Sequence, residues 1–326
     1  TLFPYTTLFR SGRRYKAMQI IDFTELKKRK KTYAGANGNK ISVIYEDKQY
    51  MLKFPPQARL NQGIGYSNSC FSEYLGCRIY ESIGIPVQKT LLGVYTVKGK
   101  QKIVVACGDF TEPGVSLQDF ASLKNSMIDS ERRGYGTELT DILQTIDEQT
   151  LVDRDSLLER FWDMFIVDAF IGNWDRHNGN WGFLYDDRTD EMTLAPVYDC
   201  GSCLYPQADE KIMDAVLSDS SERNHRIYNI PLSAIMQDGG KIKYFDFLSS
   251  LKNEDCNHAL MRVVPRINMP EIKSIIENTP FASDLQKRFY LTMLAERKVR
   301  ILDFNFTALK QMEKSSSVEK NNRYVR

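Results

Sequence analysis

The sequence predicts an α+β protein in two lobes, a β-rich N-lobe with one main helix followed by an α-helical C-lobe. Three observations carry this. The chain has 326 residues, about two domains' worth at roughly 100–200 residues each. Residues 34–101 consist of short β-rich runs separated by turn residues. Beyond Pro113 the apolar spacing changes to three and four, the period of a helix with one buried stripe.

In the N-lobe, Ile41–Tyr45 leads through Glu46-Asp47-Lys48 into Gln49–Phe54, and two prolines end the second run. Two such runs around a polar turn make a hairpin. Asn68 to Ile83 then places Phe71, Tyr74, Leu75, Ile79 and Ile83 at helical spacing, and Gly84-Ile85-Pro86 stops it. Two more strands follow, Lys89–Lys98 and Gln101–Phe110, joined at Gly99. The lobes meet near Gly108–Gly114, so the expected units are 18–112 and 113–312.

In the C-lobe, Asp155–Ile171 carries a wide stripe from Leu158 through Phe161, Trp162, Phe165 and Ile166 to Ala169 and Phe170, which assigns all of them to the core. Lys241–Lys252, Pro270–Glu277 and Ser283–Lys298 are the further predicted helices, and no repeat of 20–50 residues is present. Residues 1–17 read as a non-native or disordered leader; residues 1–12 resemble a translated adapter, with Met18 as the expected start. Residues 313–326 are polar and serine-rich and are expected to fray.

Composition narrows the function classes. Net charge is +2, from 44 basic and 42 acidic residues, so no whole-chain field points to nucleic acid. The longest apolar stretch, Phe161 to Trp174, is interrupted by Asp163 and Asp168 and predicts no membrane span. Six cysteines are too dilute for a disulfide scaffold and read as reduced intracellular thiols. The run Lys27–Lys31 is read as a solvated stretch before the first strand.

Chemistry concentrates after the 155–171 helix, in Gly172-Asn173-Trp174-Asp175-Arg176-His177-Asn178-Gly179-Asn180. Gly172, Asn173, Gly179 and Asn180 oppose helix continuation, so this is a loop anchored on a rigid element. It offers Asp175 and, five residues later, Asn180; a short strand, Leu194–Tyr198, then delivers Asp199-Cys200-Gly201. Two carboxylates and a carboxamide make an oxygen-rich site suited to Mg²⁺, which shares its ligands with phosphates. Asp-x4-Asn followed by Asp-x-Gly is a phosphotransfer spacing. In it, one aspartate orients the attacking hydroxyl, the asparagine and second aspartate hold metal, and a strand lysine grips phosphate. Lys53 ends a strand upstream, Glu73 lies one turn inside the next helix, and Gly35, Ala36, Asn37, Gly38 and Asn39 offer amides that can approach phosphate closely. Singly, each has a plain structural reading: an ordinary turn, a solvent-facing lysine, an Asp175–Arg176 ion pair. Their order along one chain makes nucleotide-dependent phosphotransfer the expected activity.

Asn173-x-Asp175-Arg176-His177-x-x-Asn180, Tyr198-Asp199 and the helix from Ser72-Glu73 to Gly84-Ile85-Pro86-Val87 resemble the HipA-like serine/threonine kinases over residues 20–310. The resemblance implies a protein-kinase-like fold and ATP-dependent transfer to a protein hydroxyl, with autophosphorylation among its outcomes. It implies Asp175 as catalytic base, Asn180 and Asp199 as Mg²⁺ ligands, and Lys53 on the phosphates with Glu73 as its partner. Cys107, Gly108 and Phe110 fall on the adenine-contacting hinge, and His177 on a loop-bracing position. The implied setting is a monomer with a protein substrate, in the bacterial cytoplasm or translocated into a host cell to act on a host protein. Residues 34–39 lack the hydroxyl that many HipA toxins phosphorylate, and Cys200 replaces the phenylalanine of Asp-Phe-Gly.

Two other readings compete. Asp-Arg-His-x-x-Asn also resembles the phosphoinositide-kinase loop, which allows a lipid or small-molecule kinase; a pseudokinase binding module is the third. A lipid kinase needs a membrane-facing patch, and a scaffold has no chemical need for Lys53, Asp175, Asn180 and Asp199 together. Cys200-x-x-Cys203 lacks the second pair a zinc site requires. Cys70 and Cys77 are expected in the core, His225 and His258 on the surface, and Ser218, Ser220 and Ser221 in a solvated loop.

Overall fold

The computed structural model describes residues 20–33, 40–55, 68–127 and 134–324; the leader at 1–17 lies outside them. A six-stranded sheet occupies the N-terminal side, formed by β1 (Ile21–Asp22), β2 (Lys28–Arg29), β3 (Lys40–Tyr45), β4 (Lys48–Lys53), β5 (Thr90–Val97) and β6 (Lys100–Gly108) in the order β1-β5-β6-β4-β3-β2. Among the described strands of this sheet, β1–β5 is the one parallel pairing. The β3–β4 turn places Glu46 and Asp47 at φ 47° and 59°, and the β5–β6 turn places Lys98 and Gly99 at 50° and 74°. Successive left-handed residues match a tight turn to the right-handed twist of its strands. They fix the β3–β4 and β5–β6 registers, and β4 ends on Lys53, opposite Lys40 of β3 and Val105 of β6. Helix α1 (Ser69–Ser82) packs on β5 and β6, burying Cys70 and Phe71 against Leu92, Val105 and Cys107. The expected hairpin, helix and two strands are all present. The basic run is exposed and contributes β2, a lysine-bearing edge strand that discourages edge-to-edge pairing.

The remainder is mainly helical. After β7 (Val115–Asp119) come α2 (Phe120–Met127), α3 (Leu139–Glu148) and α4 (Arg154–Ile171). Helix α4 starts at the Asp153 side chain, which accepts the Ser156 amide, and ends at Gly172 with φ 65°, a left-handed cap that glycine adopts without a Cβ penalty. All seven stripe residues are buried, and so are Asp163 and Asp168. Strands β8 (Gly182–Asp186) and β9 (Glu191–Leu194) complete a sheet in the order β7-β8-β9. The helices α5 (Glu210–Ser218), α6 (Ser220–Tyr228), α7 (Tyr244–Ser250), α8 (Glu254–Val263), α9 (Met269–Glu277), α10 (Asp284–Arg297) and α11 (Phe304–Tyr324) follow, with the short hairpin β10 (Met236–Gln237) and β11 (Gly240–Lys241) before α7. No described helix is long and apolar enough to cross a membrane. All six cysteines are free and buried, and His225 and His258 are exposed.

Four expectations are corrected. The strand expected at Leu194–Tyr198 ends at Leu194; Pro196 has no N–H to continue a ladder, and only Val197 bridges, to Val87. The segment holding Ser218, Ser220 and Ser221 is two helices meeting at Asp219, whose carboxylate caps α6 by accepting the Ser221 amide. The helix expected from Lys241 begins at Tyr244, because Asp238 and Gly239, both at positive φ, turn a hairpin first. The polar tail is helical backbone to Tyr324. Its N-terminal turns are anchored by buried Asn305 and Leu309, and extending a formed helix adds a hydrogen bond per residue fixed.

Candidate active site

The end of β4, the first turns of α1, the loop after α4 and the turn after Tyr198 meet at one place. Lys53 Nζ lies 2.8 Å from Glu73 Oε2 and 2.9 Å from Asp199 Oδ1. Glu73 is 1% exposed, and its other oxygen accepts the Cys200 amide at 3.0 Å. One carboxylate therefore holds both the strand lysine and the turn that carries Asp199. Burial works against the Lys53 ammonium, but the Asp199 and Glu73 carboxylates outweigh it and raise its pKa. The same lysine holds the Asp199 carboxyl down to about 2. Asp199 itself sits at φ 57°, a left-handed conformation that aspartate tolerates better than most residues.

Gly76 explains how α1 comes so near. A Cβ there would lie 2.7 Å from Cys200 Cβ and 2.9 Å from Cys203 Sγ. A helix-interior glycine costs roughly 0.5–1 kcal/mol relative to alanine; here it lets the helix seat against the turn that follows Asp199. The turn is tied from its other side as well, by Gln88 N–H to Val197 O at 2.8 Å and Val197 N–H to Pro86 O at 2.9 Å.

The loop after α4 is organised by Arg176, which pairs with Asp168 of α4 at 3.0 Å rather than with Asp175. An arginine that is 5% exposed needs a full set of acceptors. It donates to Asp168, to Asn180 O at 2.8 Å and to the Tyr198 carbonyl, and it reaches Cys200 Sγ at 3.5 Å. One guanidinium thus joins the helix, the loop and the residue before Asp199. Asp168 Oδ1 also accepts Tyr80 Oη at 2.8 Å and Asn173 Nδ2 at 3.0 Å, so every polar group in this buried knot has a partner. Sequence reasoning missed Asp168 and Tyr80. The available signal was an aspartate within an otherwise buried helix, which is rarely buried unless paired.

Asp175 rises from this frame with its side chain 33% exposed. Burial pushes its carboxyl pKa up; His177 and Ser202 oppose that, and nearby Asp199 adds to it. Asn180 Nδ2 donates to Asp175 O at 2.8 Å, and among the described residues no donor is bonded to its Oδ1. His177 Nδ1 accepts the Gly179 amide at 3.0 Å, a bracing contact within the loop. Cys107 is fully buried near the end of β6, and burial pushes its thiol pKa up. Gly108 donates to Lys89 O at 2.7 Å and accepts Gln88 Nε2 at 2.9 Å, and the Phe110 ring lies 5.9 Å from that of Tyr198. Gly35, Ala36, Asn37, Gly38 and Asn39 lie outside the described residues.

The Asp199 carboxylate and the Asn180 carboxamide oxygen are both hard donors of the kind a divalent cation takes. Among the described residues no group of three or more His, Cys, Asp and Glu side chains converges to cage a metal. A cation here must complete its shell from water and phosphate oxygens.

A model of the HipA-like C-terminal domain matches residues 28–276. The chain belongs to that family. It is 51% identical over 292 residues to the serine/threonine-protein kinase CtkA of Helicobacter pylori, covering 89% of each chain. The crystal structure of the Helicobacter pylori proinflammatory kinase CtkA matches with a TM-score of 0.85 at 50% identity, over 90% of this chain and 99% of that one. HipA of Shewanella oneidensis, solved with HipB and operator DNA, matches at 15% identity and a TM-score of 0.51, over 88% of this chain and 69% of that one. At that identity the likeness is one of fold.

Proposed function

We propose that this HipA-family protein is a serine/threonine protein kinase that transfers the γ-phosphoryl group of ATP to a protein hydroxyl. The observation that carries the reading is the Lys53–Glu73–Asp199 contact. It joins three separate segments and holds an ammonium beside an ionised carboxylate. The 51% identity to a protein named as a serine/threonine kinase sets the reaction class.

Each residue has a chemical task in this reading. Lys53 presents a compact positive charge to the phosphates, and Glu73 keeps it there. Asp175 accepts the proton of the attacking hydroxyl; its raised pKa brings it nearer the proton it must take. Asn180 and Asp199 would hold Mg²⁺, which when bound neutralises charge on the transferring phosphoryl group. Arg176 touches no reacting atom; it fixes Asp175, Asn180 and Asp199 in one frame through Asp168 and the Tyr198 carbonyl. Cys107–Phe110 borders the place for the base. Gly108 already satisfies its own N–H internally, so its carbonyl's second lone pair is what it can offer.

Radiolabelled ATP incubated with protein, phosphoinositide and aminoglycoside acceptors tests the reading. Label on serine or threonine of a protein is expected. Label confined to the lipid or the aminoglycoside would replace the proposed acceptor class, and no transfer to any of them would favour a binding module.

A further inference from the structure

The turn Asp199–Leu204 is fastened at nearly every residue. Cys200 N–H bonds Glu73 Oε1 at 3.0 Å, Cys203 Sγ reaches Ser72 O at 3.2 Å, and Leu204 N–H bonds Ile171 O at 2.9 Å. Cys200, Cys203 and Leu204 are 0%, 0% and 1% exposed, so three of its side chains point into the core. The Cys203 N–H to Cys200 O bond of 3.2 Å closes the turn. A Cβ on Gly201 would lie 3.0 Å from Glu73 Oε2, which keeps that position against the ion pair. Ser202 is half-buried, and its Oγ donates to Asp175 Oδ2 at 3.4 Å. Among the described residues it is the one side-chain hydroxyl bonded to that carboxylate. On the other oxygen, His177 Nε2 stands 4.0 Å from Asp175 Oδ1.

We propose that the Ser202 hydroxyl is a positioning group for Asp175, fixing the carboxylate plane from the Oδ2 side so that it meets the acceptor hydroxyl correctly. The proposal rests on the reading of Asp175 as base. The Cys200-x-x-Cys203 spacing takes a structural meaning from it: two buried cysteines hold the turn at both ends, and of the two residues between them Gly201 lies against Glu73 while Ser202 turns its hydroxyl to Asp175. The contact is long, as hydrogen bonds in an unliganded site commonly are before substrate tightens them. The hydroxyl makes no covalent change. It holds an orientation, and orientation of a reacting group is worth rate rather than affinity.

The test is steady-state transfer from radiolabelled ATP to casein and myelin basic protein by the full chain, with Ser202→Ala, Ser202→Thr and Asp175→Asn alongside. Ser202→Ala is expected to lower kcat about tenfold with KM for ATP and the melting temperature unchanged. Ser202→Thr, which keeps the hydroxyl, is expected to recover most of the rate. Adding Ser202→Ala to Asp175→Asn is expected to change nothing further. The proposal is overturned by a Ser202→Ala kcat within about twofold of wild type, by a loss that threonine does not restore, or by a loss that appears in KM for ATP. Phosphate mapped by mass spectrometry to Ser202 itself would also overturn it, by making the hydroxyl an acceptor. An active Asp175→Asn enzyme sinks the base reading; an inactive one beside an unimpaired Ser202→Ala sinks this inference alone.

Discussion

Glu73 offers the most informative single perturbation, because its two oxygens do separable things. Oε2 takes Lys53 Nζ at 2.8 Å and Oε1 takes the Cys200 amide at 3.0 Å. Glu73→Gln keeps the chain length and one acceptor, so the Cys200 amide stays bonded while Lys53 loses an anion. A hydrogen bond to a charged group contributes about 1.5–3 kcal/mol. Lys53 is 17% exposed and keeps Asp199 as a partner, so the lower end applies, about 1.5–2 kcal/mol. That corresponds to a loss of about 10–30-fold in kcat/KM. Lys53→Ala removes the charge itself and should cost about 10²–10³-fold, as for a preorganised donor aimed at developing charge. Glu73→Ala also orphans a buried amide, an additional stability loss of about 1–3 kcal/mol readable in a thermal melt. The assay is radiolabel transfer to a protein acceptor by both single mutants and the double. Residues acting as a unit are strongly non-additive, so Lys53→Ala/Glu73→Gln should be no slower than Lys53→Ala alone. Losses that multiply would show that Glu73 does not act through Lys53, and would refute the reasoning.

Further outcomes follow from the same geometry. Arg176→Ala leaves the carboxylate of Asp168, 1% exposed, without its cation, and should destabilise the fold by about 3–5 kcal/mol in denaturant unfolding; an unchanged midpoint would mean the knot is not holding the loop. Asp199→Ala and Asn180→Ala should each raise the Mg²⁺ concentration for half-maximal rate, and an unshifted titration in both would place the metal elsewhere. With falling pH, kcat should drop through an apparent pKa above the ordinary carboxylate value, since Asp175 must be ionised to act and burial raises its pKa. Asp199, depressed to about 2, stays ionised over that range; its stabilising contribution is complete above about pH 4 and is lost progressively as pH falls from there through about 2. Gly76→Ala should push α1 off the turn, lowering activity together with melting temperature, as its Cβ would meet Cys200 Cβ at 2.7 Å.

Periodicity and turn chemistry made the N-terminal sheet and α1 legible, because Glu46-Asp47 and Gly99 punctuate runs that are themselves strongly β-forming. Chain order made Lys53 and Glu73 legible as a pair and Asp199 as a separate metal ligand; the structure forms the pair and adds a direct Lys53–Asp199 contact that chain order does not predict. What stayed hidden depends on contacts far apart in the chain. Asp168 interrupts an apolar stripe, and nothing local says that Tyr80, 88 residues earlier, and Arg176 will satisfy it. Ser202 sits inside a motif that draws attention to its cysteines, yet its contact is with a loop 27 residues away. Pro196 did carry a local signal, the missing N–H that ends the strand, but the apolar run around it outweighed that signal in the sequence.

The central claim is that Asp175 activates a protein hydroxyl for attack on ATP. The most direct test is transfer of radiolabel from ATP to serine and threonine of a protein acceptor by wild type and by Asp175→Asn, with nucleotide binding measured on both by calorimetry. The account predicts protein-bound phosphoserine or phosphothreonine with wild type, a loss of about 10²-fold or more in the mutant, and nearly equal ATP affinity, because the asparagine keeps the shape but cannot take the proton. Transfer by Asp175→Asn within about tenfold of wild type, with ATP still bound, would contradict it.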